Sequence, residues 1–469
     1  MRRMHLAVVT PTHDPKYLPE IWQCLERQTL EHRWDWVIAP TRGALELTSA
    51  ARNHEGSFWR SPRVHVVPYP GLPGNIGAAK LWAFSRAIDL VGRRDDKNLV
   101  LVELDHDDLL APTALEKIRD AFAADPELGF AYSDCVDWSP TGELVTYHHP
   151  ERRQAWAEEG WRFGQYRTHL FQEQIPVYPL SWEPSAKAMA EILYAPNHVR
   201  AWRASTYLEV GGHDPARKVC DDLDLVQRTY LKAKCARIPE PLYLYRVDGR
   251  NTWLGRVDEI QAASKALMSE RLHALVEREM QLRGLPLLDL GGGIDPAPPP
   301  WIPIDLRQEG VDQTTPVEVD DWKPGDVVYA DLARHPWPFK DSSIGAFRAF
   351  DLLEHLPDRL GTMREIYRCL ASGGWLLSRT PSAAGPGAYQ DPTHASLWVR
   401  ESFGYYTERR LGRYLPTRHP LGRDAGKVEN PRFMEGWAEE DRSAEVPYVR
   451  ADLVSLKGDD GSLPGRRRI

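Results

Sequence analysis

The residues best placed to do chemistry lie between Asn98 and Pro112, NLVLVELDHDDLLAP, where an apolar run stops on Asp105, His106, Asp107 and Asp108. Three carboxylates packed this closely repel one another unless positive charge lies among them, and a divalent cation carrying a diphosphate supplies that charge. Asp108 has a second reading, as the cap of a helix beginning near Thr113. A second acidic group, Asp221, Asp222 and Asp224, falls at the start of a helical stretch. There a carboxylate favours the helix macrodipole and can also accept a proton, and the two roles are compatible.

Positioning the first group requires a buried strand, and Val100, Leu101, Val102 and Leu104 have the length and β-branched content of one. The carboxylates then sit at its C-terminal end, where open α/β sheets hold ligands. Upstream, His5 to Thr10, Trp36 to Ala39 and Val64 to Pro68 read as strands. Tyr17 to Gln28 and Ala78 to Val91 read as helices, the second after a glycine-rich bend from Gly71 to Gly77. This alternation predicts an α/β fold with a parallel, doubly wound sheet and nucleotide-sized ligands at the strand ends.

A length of 469 residues leaves room for roughly two to four domains. The net charge of -8 lacks the basic excess a phosphate-tracking surface needs, so nucleic acid is not an expected partner. No apolar run reaches the length of a transmembrane helix, and the opening MRRMHLAVVTPTHDP has too short an apolar segment for a signal peptide. The expectation is a cytoplasmic protein with no transmembrane segment. Cys24, Cys135, Cys220, Cys235 and Cys369 are scattered, without the spacing of a zinc site or a disulfide frame.

Several ordered motifs between residues 5 and 252 together resemble the family 2 glycosyltransferases of GT-A fold. VVTPTHDPKYLPEIWQCLERQT is similar to their opening strand, loop and helix, and Asn75-Ile76-Gly77-Ala78-Ala79 to their asparagine turn. LDHDDLLAPTAL is similar to their Asp-x-Asp segment, and Glu209 to Asp214 followed by Asp221-Asp222-Leu223-Asp224-Leu225 and Arg228 to the region of their catalytic carboxylate. The resemblance implies a nucleotide-sugar donor contacted by Thr10, Thr12, Asn75 and Asp105. It implies Mg2+ or Mn2+ on Asp107, with Asp105 beside it, and Asp222, with Asp221 as the near alternative, as base for an acceptor hydroxyl in an inverting displacement. Two departures stand out. The second strand ends Ile38-Ala39-Pro40-Thr41-Arg42 without the expected carboxylate, and Tyr245-Arg246-Val247-Asp248 carries an aspartate where a metal-binding histidine is usual. Asp248 reads equally as a hard oxygen ligand or as a turn residue. Trp156, Trp161, Phe163, Tyr166, Phe171, Tyr178, Trp182 and Tyr194 are either core or an acceptor-sugar surface.

A connecting helix is expected from Val257 to Arg283, closed by Gly284. Beyond it LPLLDLGGGIDPAPPPWIPIDL, Tyr329-Ala330-Asp331-Leu332, FDLLEHLPD and Ser372-Gly373-Gly374-Trp375 together resemble the class I methyltransferases, which bind S-adenosylmethionine in a Rossmann-like domain. The match covers about residues 285 to 410. Its departure is that only the proline-rich Ile294 to Trp301 separates the first two strands, leaving no space for the usual helix. The resemblance implies cofactor contacts from Asp289, Gly291, Gly293, Asp305 and Asp331. His355 and His394 are the candidate proton acceptors, oriented by Asp351 or Asp391. Residues 416–469 read as a C-terminal tail.

The expectation is thus a fused enzyme with a GT-A domain over 1–256, a connecting helix over 257–284 and a methyltransferase-like domain over 285–415. It transfers a sugar to a glycan, lipid-linked or protein acceptor and then O-methylates the glycan. The alternative keeps the first domain catalytic and makes the second a binding or interaction module.

Overall fold

The computed structural model describes residues 4–41, 58–71, 74–91, 98–139, 150–158, 161–166, 177–248, 251, 255–292, 296–306, 327–407, 433–441 and 447–457. The chain divides into two compact units, Met1–Leu275 and Val276–Ile469. The division falls inside one helix, Val257–Arg283, which the sequence reading expected as a separate connector. Among the described residues no helix is long and apolar enough to cross a membrane.

The first unit is built on an eight-stranded sheet of order β3-β2-β1-β4-β9-β6-β10-β5. Its strands are β1 (His5–Thr12), β2 (Trp34–Pro40), β3 (Val64–Val66), β4 (Leu99–Glu103), β5 (Leu109–Leu110), β6 (Leu128–Trp138), β9 (Arg200–Arg203) and β10 (Lys234–Arg246). A separate short pair, β7 (Phe163–Gln165) and β8 (Val177–Pro179), lies outside this sheet. Strands β1 to β4 are parallel, as expected. Further along, the sheet is mixed: β9 runs against both β4 and β6, and β5 against β10. The reason is connectivity. The chain leaves β6 at its C-terminal end and re-enters at the same end, so the returning strand must run the other way.

Both faces of this sheet are covered. Leu6, Val8, Trp36, Ile38, Val100 and Val102 pack with Leu18, Ile21 and Leu25 of the helix Leu18–Glu26 and with Leu115, Ile118 and Phe122 of the helix Ala114–Ala124. Phe84, from the helix Ile76–Val91, stacks on Tyr207 with ring centroids 5.0 Å apart and meets Trp202 edge-on at 6.2 Å. The rings of Trp156, Trp161, Trp182 and Tyr194 form a mutual cluster, Trp182 and Tyr194 at 4.6 Å, and Trp161, Tyr178 and Trp182 are buried. At these three positions the core reading holds; Phe171 lies outside the described residues.

The second unit carries a seven-stranded sheet of order β13-β12-β11-β14-β15-β17-β16. These are β11 (Leu287–Leu290), β12 (Ile302–Asp305), β13 (Val328–Tyr329), β14 (Ile344–Phe350), β15 (Leu370–Pro381), β16 (Phe433–Asp441) and β17 (Tyr448–Ser455). The strands β11 to β15 are parallel, and the order reverses between β11 and β14, which is the switch point where a doubly wound sheet opens a ligand crevice. Two strands fall within residues 416–469, so that segment is not the peripheral tail the sequence suggested. β17 inserts antiparallel between β15 and β16 and buries Val449, Ala451, Leu453 and Val454. Val449-Arg450-Ala451-Asp452-Leu453 does alternate at the period of a strand, but the run is short and lies in a charged, proline-containing segment, which hid it.

Candidate functional site

In the first unit the C-terminal end of β4 and the start of the helix Asp221–Lys232 converge on one buried ammonium. Lys80 Nζ lies 2.6 Å from Glu103 Oε1, 3.6 Å from Asp221 Oδ2 and 4.0 Å from Asp105 Oδ1. Arg200 Nη1 donates to Asp222 Oδ2 at 2.8 Å and stands 3.7 Å from Glu103 Oε2. His198 Nε2 approaches Asp105 at 3.7 Å, and His213 Nε2 approaches Asp221 at 3.9 Å. Four carboxylates thus face two permanent cations.

Local geometry sets this up. Asn75 accepts from the Ala78 backbone N–H, so it caps the helix Ile76–Val91, and its amide donates to the Pro215 carbonyl. A Cβ on Gly77 would stand 2.1 Å from the Asp214 carbonyl oxygen, so only glycine lets the helix meet the 214–217 loop. That close approach carries Lys80 to Asp221.

The environment splits the two neighbouring aspartates. Burial, offset only in part by Lys80, pushes the Asp221 carboxyl up to about 6. Burial acts on Asp222 too, but Arg200 and then Lys80 overcome it and hold that carboxyl below its usual range. Burial, reinforced by Arg200, brings His198 down to about 4, and burial with Lys80 brings His213 down to about 3, so both rings are neutral at pH 7.

The acidic loop is held from behind. Asp108 is buried and accepts from Tyr243 Oη at 2.8 Å and from the Arg246 backbone N–H at 2.7 Å. It therefore ties the loop to β10 and does not cap the following helix. Arg246 Nε donates to the Asp107 carbonyl at 2.6 Å. The Asp107 carboxyl is raised by burial and by the charge of Asp105, against the opposing His106.

Other expected contacts are used structurally. Thr10 is fully buried and takes the Trp36 indole N–H, and Thr12, also buried, donates to the Asp14 carbonyl. Their hydroxyls therefore shape the β1 loop and are not offered to a ligand. Asp248 accepts from Tyr17 Oη at 3.2 Å. Asp105, Asp107 and Asp248 do not gather as a three-ligand cluster; among the described residues the group that does is Glu354, His355 and His394. Sequence reasoning missed Lys80, Glu103, His198, Arg200 and His213. Lys80 left a trace, a lone charge on the face that also buries Gly77, Phe84 and Ala87.

In the second unit the crevice between β11 and β14 is lined by their loops. Gly291, at φ +70°, donates its N–H to the Ile304 carbonyl, and a Cβ there would come within 3.0 Å of Leu352 Cδ1. Gly293 lies outside the described residues. Asp305 ends β12, half-buried, and accepts from the Leu306 N–H. Asp331 accepts from the Ala333 N–H and pairs with Arg334. Asp289 is not available as a cofactor contact through its side chain. It is buried, with Oδ1 on Arg348 and Oδ2 on the Ala297 N–H, so it braces the loop that replaces the missing helix. His355 and His394 meet edge-on, ring centroids 4.9 Å apart. Of their expected orienting groups, Asp391 reaches His355 through Thr393, whereas Asp351 pairs with Arg379.

Residues 260–420 match the family model of a methyltransferase domain. Among solved structures the chain is similar to S. aureus TarS 1-349 in complex with UDP, at 15% identity, covering 57% of this chain and 71% of that chain with a TM-score of 0.36. It is likewise similar to the mannosyltransferase PcManGT from Pyrobaculum calidifontis in complex with GDP-Man and Mn2+, at 15% identity, 58% and 69% coverage and a TM-score of 0.36. No curated protein matches the chain.

Proposed function

We propose that the chain is a bifunctional glycan-modifying enzyme, a glycosyltransferase in its first unit and an S-adenosylmethionine-dependent O-methyltransferase in its second. The observation that carries the first half is the convergence of Asp105 and Asp221 on Lys80, with Asp222 held beside them by Arg200. Motifs more than a hundred residues apart meet at the ligand-holding end of one sheet.

Asp105 and Asp107 fit a hard divalent cation. Their donors are oxygens, the loop carries excess negative charge, and burial together with the neighbouring Asp105 raises the Asp107 carboxyl, a cost that a bound cation would offset. Mg2+ or Mn2+ held there would neutralise the diphosphate leaving a nucleotide sugar. Asp222 takes the acceptor proton. Its pairing with Arg200 keeps it ionised, and its side chain is 22% exposed against 6% for Asp221, so it is the one an acceptor hydroxyl can reach.

For the second half the family match and the β11/β14 switch point agree. Asp305 would take the ribose hydroxyls of adenosylmethionine, Gly291 would let backbone approach it and Asp331 would lie toward the adenine. Adenosylmethionine supplies an electrophilic methyl group. The acceptor hydroxyl would be presented to the His355 and His394 pair beyond β14, which either takes its proton or, holding a cation, lowers the hydroxyl's pKa so that solvent takes it. The full braces on Asp289 favour a second reading, a unit that binds without methylating.

The test is to incubate the full chain with UDP- and GDP-sugars, Mn2+ and labelled adenosylmethionine, and to follow donor hydrolysis and label transfer to candidate glycans. Donor turnover with methyl incorporation supports both halves. Adenosylmethionine binding without incorporation supports the second reading, and no turnover of any donor overturns the first half.

A further inference from the structure

We propose that Glu354, His355 and His394 form a binding site for a divalent first-row transition-metal ion in the second unit. One donor atom from each of the three lies within 4.8 Å of the others. Donors around a shared ion at about 2.1 Å stand roughly 3–4 Å apart, so closing the site takes small rotamer adjustments only.

The hydrogen bonds fix both imidazoles in the form that binds metal. Thr393 Oγ1 gives its proton to Asp391 Oδ1 at 2.6 Å, so at its 3.0 Å contact with His355 Nδ1 it can only accept. His394 Nδ1 stands 3.0 Å from the Ala388 carbonyl, which also can only accept. In the neutral tautomer these bonds select, the proton sits on Nδ1 and the lone pair that can bind a metal on Nε2. An anchored second nitrogen of this kind is what orients a metal-ligating histidine.

The third donor is in a matching state. Glu354 is 2% exposed; its Oε2 accepts from Thr380 Oγ1 at 2.9 Å, and its Oε1 is buried with no hydrogen-bond partner. An orphaned buried carboxylate oxygen is costly, and a cation is one way to satisfy it. The backbone brings the parts together: the Ala395 and Ser396 N–H groups both donate to the Glu354 carbonyl at 2.8 Å, and Ser396 Oγ donates to the Leu353 carbonyl at 2.9 Å. These bonds hook the 391–396 turn over the short 3-10 turn Leu353–His355 that follows β14.

Two imidazoles and one carboxylate are softer than the all-oxygen set around Asp107. They suit Zn2+, Fe2+ or Mn2+ better than Mg2+, and they leave positions open. Oxygen donors such as neighbouring hydroxyls of a sugar could fill those positions. That last step rests on the methyl-transfer reading, whereas the metal site does not.

The experiment uses the full chain loaded with Mn2+ and no other ligand. Pulsed electron paramagnetic resonance should detect directly bound imidazole nitrogen, and the signal should vanish in His355→Gln and in His394→Gln while surviving in Asp107→Ala. Calorimetric titration with Zn2+ should lose one equivalent in either histidine variant, and Thr393→Val should weaken that equivalent by about 10–100-fold. Should the histidine variants fail to fold, the nitrogen signal of the native chain and the Thr393→Val affinity still decide. No nitrogen signal, or one that survives both histidine variants and disappears in His106→Ala, overturns the inference. Failure of adenosylmethionine to bind would remove the methyl-transfer reading and leave the nitrogen signal intact, so the two failures are separable.

Discussion

The ammonium of Lys80 lies 2.6 Å from Glu103 Oε1, with the two side chains 6% and 0% exposed, so the pair is an ion bridge buried beneath the acidic loop. Such a pair is expensive to desolvate but more expensive to break. Lys80→Met should destabilise the first unit by about 3–5 kcal/mol, read by denaturant titration. The double variant Lys80→Met/Glu103→Leu should recover part of that loss, because Arg200 still pairs with Asp222 and only the buried Asp221 is left without its cation. A single variant as stable as the native chain would show the bridge to be ornamental.

Asp222→Asn should lower sugar transfer by about two to four powers of ten with nucleotide binding retained. Because Arg200 holds Asp222 below the usual carboxylate range, the native kcat/KM should show no carboxylate ionisation between pH 5 and 8. A limb rising through about pH 6, lost in Asp221→Asn, would move the base to Asp221.

The raised Asp221 carboxyl also bears on stability. Its folded value of about 6 exceeds its unfolded value near 3.8, so between these the folded chain binds the proton more tightly. The contribution favours folding below pH 4 and is lost as pH rises through 6. The stability of the native chain relative to Asp221→Asn should therefore fall across pH 4 to 6 in parallel denaturant titrations, and a difference that rises would contradict the assignment.

Asp107→Ala should abolish sugar transfer while leaving the circular dichroism spectrum unchanged, since in the proposed role the side chain holds the cation while the Asp107 carbonyl, bonded to Arg246, holds the loop. Chelation with EDTA should reproduce the loss in the native chain. Full transfer by the variant in EDTA would rule out the metal role.

Asp305→Ala should remove charge-assisted hydrogen bonds to the ribose worth about 1.5–3 kcal/mol each and stop methylation. Sugar transfer should continue, giving a product lighter by the missing methyl groups in mass spectrometry. An unchanged product mass would favour the non-methylating second unit.

Much of the scaffold was legible because its signals are local. The apolar run before Asp105, the periodicity of Val257–Arg283 and the glycine at 291 each depend on neighbours a few residues away. The direction of β9 was not legible, since it depends on where a long excursion re-enters the sheet. Thr10 and Asp289 misled because a polar residue at a strand end reads the same whether it faces a ligand or an internal partner, here Trp36 and Arg348. Lys80 and Arg200 were missed because their partners come from other segments of the chain.

The order β15-β17-β16 fixes when the second sheet can be finished. Strand β16 bonds to β17, and it is β17 that joins the pair to β15. A chain emerging from the ribosome releases residues 433–441 before their partner exists. Until about Ser455 has cleared the exit channel, β15 presents an open edge to solvent. The second unit should therefore close only once β17 is free to pair, and a nascent chain from which β15 has emerged but β17 has not would display an unprotected edge for chaperones to cover.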